Sequence, residues 1–336
     1  MTLKLGILGI DHGHIFGMLA HMLGHGCTCE MWWTDGPAVT RDKFVATYPA
    51  LTEVTDRRRI LDDPSIDMVL ISAVPADRAR LAIEAMEAGK DVMVDKPGVT
   101  DADDLARLRA VQARTGRIWS VNFSERFQVP AVAMAETLVA EGAIGRVVQV
   151  LGLGPHKQNL ATRPEWFFDR ARYGGILCDI GSHQIDQFLH FTGATDAKIA
   201  HALVENTTIP DRPGFQDFGE IVLRAPEGHG YIRVDWFTPR GLPTWGDGRL
   251  FLQGTEGQIE LRKYAQVGEA HMTDQLFLVN GTENRRIDCR ETPLPYFPRL
   301  IADVRDRSET AMPQAHAFAA SALAIEAQAM AERAHG

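Results

Sequence analysis

The first 121 residues alternate between short apolar runs and segments whose apolar positions recur at helical spacing. The apolar runs predict strands buried on both faces, because helices that cover each face of a sheet leave no polar side. Strands that alternate with helices indicate a parallel sheet with right-handed crossovers. The predicted strands are 3–8, 29–34, 68–73, 91–94 and 119–123, and the predicted helices are 15–23, 41–48, 56–61, 78–88 and 100–115.

The pattern changes after about residue 123, where strands with two-residue alternation follow one another without helices between them. In 230–237, Ile232, Val234 and Trp236 share one face. Such alternation predicts a mostly antiparallel sheet with one face in solvent. The other predicted strands are 147–153, 198–205, 219–224, 249–253, 258–261 and 276–279, and the predicted helices are 131–141, 176–192 and 314–333.

These patterns predict an α/β domain over 1–122 and an α+β domain over 123–336. Packing of the terminal helix 314–333 back on the first domain is left open. A chain of 336 residues is long enough for two domains.

Composition and charge exclude several classes of function. The net charge of −9 argues against nucleic acid and anionic membrane partners, whose phosphates would be repelled. We find no apolar run that would span a bilayer and no signal-peptide pattern, so we expect a cytoplasmic protein. The four cysteines are too few and too irregularly spaced for a disulfide framework.

The segment GILGIDHGHIFGM, residues 6–18, resembles a dinucleotide-binding turn with substitutions. In G-x-G-x-x-G, the first glycine allows the turn, the second lets the backbone approach the pyrophosphate, and the third lets helix and strand pack closely. Gly9 fills the first position, but Asp11 and His14 occupy the other two. We expect Asp11 to cap the following helix and Gly13 to serve the third role. A helix-capping turn without a ligand would have the same sequence.

Asp35 follows the second predicted strand, 26 residues after Gly9 (35 − 9). An acid at this place accepts hydrogen bonds from the adenine ribose and repels a 2′-phosphate, which favours NAD over NADP. The alternative is an ordinary turn aspartate before Gly36.

The run VMVDKP ends a buried strand with Lys96 followed by Pro97. Open parallel sheets bind ligands at the carboxyl ends of their strands, where an ammonium can act on a reacting hydroxyl or carbonyl. The alternative is a solvated lysine at a strand end.

Asp179 and His183 are four residues apart in a predicted helix and would lie on one face. A carboxylate beside an imidazole suits general acid–base chemistry. The alternatives are a surface pair and a metal site. A metal site needs further ligands, and His12, His14 and His156 show no metal-ligand spacing, so we predict no metal.

The glycine turn, the D-K-P strand end and the G-G…D-x-G-x-H-x-x-D segment together resemble the Gfo/Idh/MocA oxidoreductases. Other similar segments are 82–94, 141–146, 254–257 and the terminal helix. The resemblance implies a Rossmann domain followed by a domain whose open antiparallel sheet pairs with another subunit, in a homodimer or homotetramer.

The resemblance also implies residue roles. Lys96 is the catalytic lysine, Asp179 its partnering acid and His183 the acid–base histidine. The implied cofactor is NAD rather than NADP, and its implied contacts are Gly9, Asp11, His12, Gly13, His14, Asp35, Ala73, Pro75, Asp95 and Lys96. The chain departs from the family pattern at Asp11 and His14, at Asp95 for the usual glutamate, and at Arg78 for a histidine.

The expected activity is hydride transfer between nicotinamide and a carbinol carbon of a sugar, inositol or related polyhydroxylated compound. The candidate substrate-binding residues are Asn122, Arg126, His156, Trp166 and Tyr173. Three alternatives stay open: a non-catalytic NAD(P)- or sugar-binding sensor, an NAD-dependent elimination or hydrolysis enzyme, and a metal-dependent hydrolase or isomerase.

Overall fold

A computed structural model describes residues 2–36, 38–269 and 271–334. The chain divides into two compact units, and the terminal helix contributes residues to both. The first unit comprises Met1–Asn122, Ala171–Gly174 and Tyr296–Phe318, and the second comprises Phe123–Arg170, Gly175–Pro295 and Ala319–Gly336.

The first unit contains a six-stranded sheet in the order β3-β2-β1-β4-β5-β6, with every pair parallel. This is the order of a doubly wound sheet, in which the direction of winding reverses between β1 and β4. The strands are β1 Lys4–Leu8, β2 Thr28–Trp33, β3 Thr52–Glu53, β4 Met68–Ile71, β5 Asp91–Asp95 and β6 Trp119–Asn122. The helices that connect them are α1 His14–Gly24, α2 Arg41–Thr47, α3 Arg58–Leu61, α4 Pro75–Glu87 and α5 Ala102–Thr115.

The three strands β4, β5 and β6 are buried along their whole length. Most of their side chains are apolar, and both β5 and β6 end on a polar residue. Asp95 ends β5 and is paired in register with Asn122, which ends β6. The parallel sheet therefore collects polar groups at its carboxyl edge, where doubly wound folds bind ligands.

The second unit contains an eight-stranded sheet in the order β14-β13-β12-β11-β7-β10-β9-β8. Neighbouring strands are antiparallel except for β7 and β10, which run parallel. The strands are β7 Val147–Pro155, β8 Lys198–Glu205, β9 Phe218–Arg224, β10 His229–Asp235, β11 Arg249–Gly254, β12 Gly257–Arg262, β13 Gln275–Asn280 and β14 Asn284–Asp288. The predicted fold class, a parallel α/β sheet followed by a mostly antiparallel sheet, is confirmed.

The remaining helices follow the first sheet along the chain. They are α6 Ser124–Phe127, α7 Pro130–Ala140, α8 Arg170–Tyr173, α9 Ser182–Thr192, α10 Tyr296–Asp306 and α11 Gln314–Arg333. Helix α9 packs on β7, where glycine allows a close approach: a Cβ atom at Gly152 would lie 2.6 Å from Gln184 Oε1. Buried and more exposed positions alternate along β9 to β12, as expected for a sheet with one face packed.

The sequence patterns missed β3, β14, α10 and the two four-residue helices α6 and α8. Strand β14 has the sequence NRRID, with no apolar alternation, because it is a charged edge strand. Helix α10 carries Pro298 in its first turn, where a proline is tolerated, and it buries Phe297, Leu300 and Val304.

We also searched the described helices for a membrane-spanning segment. None of them combines the length and the apolar character that a bilayer crossing would require.

The turn after β1 requires glycine at position 9. Gly9 has φ of 81°, and a Cβ atom there would lie 2.5 Å from Ala73 Cβ.

We expect Gly9→Ala to lower the free energy of unfolding by about 3 kcal/mol, since it adds both backbone strain and a clash. Gly13→Ala is the matched control, because Gly13 has φ of −64° and open space around it. Its expected effect in the same urea unfolding experiment is within about 0.5 kcal/mol. Equal losses for the two variants would contradict this account of the turn.

Candidate active site

The glycine turn is tied to two strand ends by backbone hydrogen bonds. Gly9 N–H donates to the Trp33 carbonyl at 2.7 Å, and His12 N–H donates to the Ser72 carbonyl at 3.0 Å. Ser72 N–H donates in return to the Gly9 carbonyl at 3.2 Å. The turn is thereby fixed between the carboxyl ends of β2 and β4, at the reversal point of the sheet.

Asp11 does not cap α1, so that prediction is wrong. The N-cap position of α1 is Gly13, and no side chain caps the helix. The Asp11 carboxylate is buried instead and accepts a hydrogen bond of 3.4 Å from Thr34 Oγ1. Burial raises the pKa of Asp11 to about 6. The expected packing role of Gly13 is wrong as well, since nothing lies within 4 Å of where its Cβ would be.

Asp95 is the centre of a buried polar cluster at the end of β5. Its Oδ2 lies 2.8 Å from His12 Nδ1 and 3.0 Å from Arg78 Nη2, and its Oδ1 lies 2.8 Å from His14 Nδ1. The Ser72 hydroxyl adds a hydrogen bond of 3.3 Å to Oδ2. The structure thus joins three residues predicted to contact the cofactor, and it adds Arg78 and Ser72, which the sequence reading left out of the site.

The cluster keeps a negative charge inside the protein. Burial alone would raise the pKa of the Asp95 carboxyl, but the guanidinium of Arg78, followed by the two imidazoles, holds that pKa well below its usual range. Burial, and then the neighbouring His14, lower the pKa of His12 to about 4. His12 is therefore neutral near pH 7, and its Nδ1–H donates to the carboxylate.

Arg78 also fixes the backbone that carries Lys96. Its guanidinium donates to the carbonyl oxygens of Asp95 and Pro97, each at 3.1 Å, and to that of Lys96. Its Nε donates to the Ala73 carbonyl at 2.8 Å. Removing one partner of such a buried ion pair typically costs about 3–5 kcal/mol. The arginine that departs from the family pattern therefore organises this edge of the sheet.

The other predicted cofactor contacts lie on neighbouring strand ends of the first unit. Asp35 follows β2, and its side chain is 76% exposed, with Arg80 Nη2 4.0 Å away. Ala73 follows β4 and faces Gly9, and Pro75 is the first residue of α4. Lys96 is buried directly after β5. These positions share the carboxyl edge of the parallel sheet.

Asp179 and His183 lie in the second unit, and the prediction of one regular helix over 176–192 is corrected. Residues Leu177–Gly181 form a π-helical turn before α9 begins. Gln328 supports this turn, since its Oε1 accepts the Leu177 N–H at 3.0 Å. Both predicted catalytic side chains are buried. Such π-helical turns occur often at functional sites.

The predicted substrate-binding residues have different surroundings. Arg126 is buried and makes two hydrogen bonds of 2.7 Å to Asp186, so its guanidinium is engaged in an ion pair. The His156 ring packs against Trp245 and Trp236, with centroid distances of 4.6 Å and 5.3 Å. Trp166 is half-buried in the second unit. Asn122 and Tyr173 are buried residues of the first unit.

A groove of about 840 Å³ lies in the second unit. It is lined by residues 157–162, which follow β7, and by residues 236–240, which follow β10. His156 adjoins these segments in sequence, but none of the predicted catalytic residues lines the groove.

A second buried ion pair, Glu125 with Lys263, was absent from the sequence predictions. Lys263 Nζ lies 2.9 Å from Glu125 Oε2 and 2.9 Å from Gln187 Oε1, and Gln184 Nε2 donates to the same glutamate oxygen at 2.8 Å. Burial would raise the pKa of Glu125, but the Lys263 ammonium and then the His183 imidazole lower it well below its usual range. Glu125 stands between Ser124 and Arg126, and Lys263 follows Arg262, so no local sequence signal marked this pair.

Comparison with known proteins identifies the family. Residues 36–123 match the model described as the oxidoreductase family with an NAD-binding Rossmann fold, and residues 132–260 match the GFO/IDH/MocA C-terminal domain. The chain belongs to the Gfo/Idh/MocA oxidoreductases, as the resemblance in the sequence predicted.

The similar relatives include named dehydrogenases. Levoglucosan dehydrogenase from Pseudarthrobacter phenanthrenivorans is 29% identical over 303 residues, which cover 84% of this chain and 72% of that protein. An NAD(+)-dependent scyllo-inositol 2-dehydrogenase from Bacillus subtilis is 27% identical over 206 residues, covering 61% of this chain and 57% of that protein.

A solved structure of an oxidoreductase candidate from Erwinia carotovora atroseptica SCRI1043 is 39% identical. It superposes with a TM-score of 0.94, and the alignment covers 98% of this chain and 99% of that one. Levoglucosan dehydrogenase in complex with NADH and levoglucosan gives a TM-score of 0.78 at 19% identity, covering 100% of this chain and 98% of that one, which shows a shared fold.

The low pKa of Glu125 predicts a pH dependence of stability. A carboxyl whose pKa is depressed in the folded state stabilises the protein above its unfolded pKa of about 4.3, and this contribution is lost as the pH falls. At pH 7, Glu125→Gln should lower the free energy of unfolding by about 3 kcal/mol, because it leaves the Lys263 charge unpaired. Urea unfolding between about pH 7 and pH 3.5 should show this deficit shrinking as the pH falls.

The exposed Glu141→Gln is the control for that experiment, and it should follow the wild type at each pH. A Glu125→Gln deficit that stays constant over the whole pH range would mean that the buried carboxyl titrates alike in the folded and unfolded chains.

Proposed function

We propose that this protein is an NAD-dependent dehydrogenase that transfers a hydride between nicotinamide and a carbinol carbon of a sugar, an inositol or a related polyhydroxylated compound. The observation that carries the proposal is the carboxyl edge of the first sheet, where the glycine turn, Asp35 and Lys96 follow β1, β2 and β5. Membership in the oxidoreductase family supports the reaction class.

The residues at this edge fit a dinucleotide. The amino end of α1 supplies the positive end of the helix dipole, which attracts a pyrophosphate. A negative charge on Asp11 would repel the pyrophosphate. Its carboxyl is buried, however, and burial raises its pKa, which favours the neutral form. We assign the cofactor contacts to Gly9, Asp11, His12, Gly13, His14, Asp35, Ala73, Pro75, Asp95 and Lys96.

Asp35 favours NAD over NADP in this proposal. Its exposed carboxylate can accept hydrogen bonds from both ribose hydroxyls and would repel a 2′-phosphate. Two guanidinium groups lie close to this strand end: Arg80 beside Asp35, and Arg57 5.3 Å from the centre of the Trp33 ring. They would attract a 2′-phosphate if Asp35 were absent, so this single carboxylate decides the preference.

The proposed acid–base group is His183. When alcohol is oxidised, its imidazole takes the hydroxyl proton, and Asp179 stabilises the imidazolium that forms. Lys96 supplies a positive charge to the oxygen on which negative charge develops. Bound nicotinamide supplies the hydride acceptor for oxidation or the hydride donor for reduction. Arg78 holds the backbone of Lys96 and is therefore a positioning residue.

The named relatives support the substrate class, since their names specify levoglucosan and scyllo-inositol. Asn122, His156, Trp166 and Tyr173 combine polar and aromatic groups that suit a polyol. Arg126 acts in this proposal through its ion pair with Asp186. We further propose that the more exposed face of the second sheet joins two copies of the chain.

Loss of His183 should separate chemistry from cofactor binding. We expect Lys96→Met and His183→Gln to lower kcat by about 10²–10⁴-fold, because each removes a group that acts in the transition state. The dissociation constant of His183→Gln for NADH, measured by fluorescence titration, should change by less than about threefold, whereas Lys96→Met also removes a proposed cofactor contact and should bind NADH more weakly. Turnover is followed at the nicotinamide absorbance band with levoglucosan, scyllo-inositol and other polyols.

The control is Lys43→Met, which replaces an exposed lysine on α2 and should keep full activity. Wild-type rates in both variants would refute the assigned roles.

Replacement of Asp35 should change the cofactor preference. We expect Asp35→Ala to weaken NAD binding and strengthen NADP binding, by about tenfold in the ratio of dissociation constants, or about 1.4 kcal/mol. Asp42→Ala removes another exposed carboxylate from the same region and should leave the ratio unchanged. An unchanged ratio in Asp35→Ala would show that the carboxylate does not contact the ribose.

A further inference from the structure

His12, His14 and Asp95 offer ligand atoms that all lie within 4.8 Å of one another. We propose that these three residues bind a divalent transition-metal ion such as Zn²⁺. The site belongs entirely to the first unit, and its three residues are among the cofactor contacts proposed above, although the proposed hydride chemistry uses no metal.

The ligand types support this assignment. Two imidazoles and one carboxylate form a common set for zinc and for other divalent transition metals. Three protein ligands leave at least one coordination position, which water or an oxygen atom of a bound molecule can occupy. His12 and His14 are separated by a single residue in the glycine turn, and Asp95 reaches them from a strand end more than 80 residues later.

The distances are close to those of a metal site. Each imidazole Nδ1 lies 2.8 Å from a different oxygen of Asp95, whereas two ligand atoms of a tetrahedral zinc are separated by about 3.3 Å. An ion bound through Oδ1 therefore requires the His14 imidazole to move by about 0.5 Å and the His12 imidazole to give up its hydrogen bond to Oδ2. The side chains of His12 and His14 are 23% and 31% exposed, so the rings have room to turn and an ion can reach them from solvent.

The carboxylate is already oriented for this role. In the absence of metal, Arg78, Ser72 and His12 all donate to Oδ2 of Asp95, whereas Oδ1 faces His14. We assign Oδ1 as the metal ligand and Oδ2 as the oxygen held by outer partners, an arrangement typical of metal-binding carboxylates. The Arg78 charge lowers the affinity of the site, so we expect it to bind more weakly than a site without a neighbouring cation.

The backbone positions the two histidines independently of the ion. His12 is fixed by its N–H bond to the Ser72 carbonyl, and His14 is the first residue of α1. In the absence of metal, hydrogen bonds from the imidazoles to Asp95 hold the same side chains together. The ion would place a positive charge in the turn where Asp11 and His14 replace the family's glycines.

Metal binding is tested on the full-length protein without an affinity tag. The protein is treated with a chelator, dialysed against buffer containing Zn²⁺ at about ten times the protein concentration, and freed of excess ion before metal analysis by atomic spectroscopy. We expect one equivalent of zinc per chain in the wild type. We expect less than about 0.1 equivalent in the His12→Gln/His14→Gln double variant, in which two of the three ligands are gone.

The matched control is His201→Gln/His229→Gln, which removes two exposed histidines from the second sheet and should keep one equivalent. Single replacement of His14, on the half-exposed first turn of α1, guards against misfolding of the double variant. It should weaken zinc binding at least about tenfold in a competition titration, and a cooperative unfolding transition in the absence of metal shows that the variant is folded. Absence of stoichiometric zinc in the wild type, or its retention in the double variant, would overturn the proposal. The NADH titrations of the metal-free wild type test the proposed dehydrogenase activity separately, so failure of the metal site is distinguishable from failure of that proposal.

Discussion

The geometry of the first unit's functional edge depends on one buried carboxylate, Asp95. An isolated charge cannot be kept inside a protein without compensation, so Asp95 has to gather donors from the elements around it. Arg78 comes from α4, Ser72 follows β4, and His12 and His14 come from the turn and the start of α1. The same guanidinium holds the backbone on both sides of Lys96. Electrostatic compensation of one side chain therefore fixes the glycine turn and the proposed catalytic lysine in the same network.

The glycine turn shows which part of a binding pattern serves folding and which part serves the ligand. Gly9 is required by its positive φ and its contact with Ala73, so this glycine persists. No packing contact of the fold requires glycine at positions 11 and 14 in this chain, because Asp11 is accommodated beside Thr34 and His14 reaches Asp95. The two substitutions leave the Rossmann architecture intact and change the chemistry of the turn.

The second unit buries charge in a similar way beneath its sheet. Glu125 pairs with Lys263, and Arg126 pairs with Asp186, so two adjacent residues of α6 hold separate partners. Next to them, the chain winds through a π-helical turn at Leu177–Gly181 before α9 begins. Buried ion pairs contribute little net stability, but each fixes a geometry, because breaking one leaves a charge unpaired. The Glu125–Lys263 and Arg126–Asp186 pairs orient the segment that carries Asp179 and His183.

The sequence by itself determined most element types, the alternation of strands and helices in the first domain, the mostly antiparallel character of the second and the family. It could do so because periodicity records which face of an element is buried, and because the D-K-P and D-x-G-x-H segments are local. Only the tertiary structure decided that Asp11 turns inward, that Arg126 is engaged by Asp186, and that His12 and His14 meet Asp95. Those contacts join residues 23 to 83 positions apart. The order of strands in the first sheet and the packing of α6 on α9 bring them together, and no local pattern encodes either.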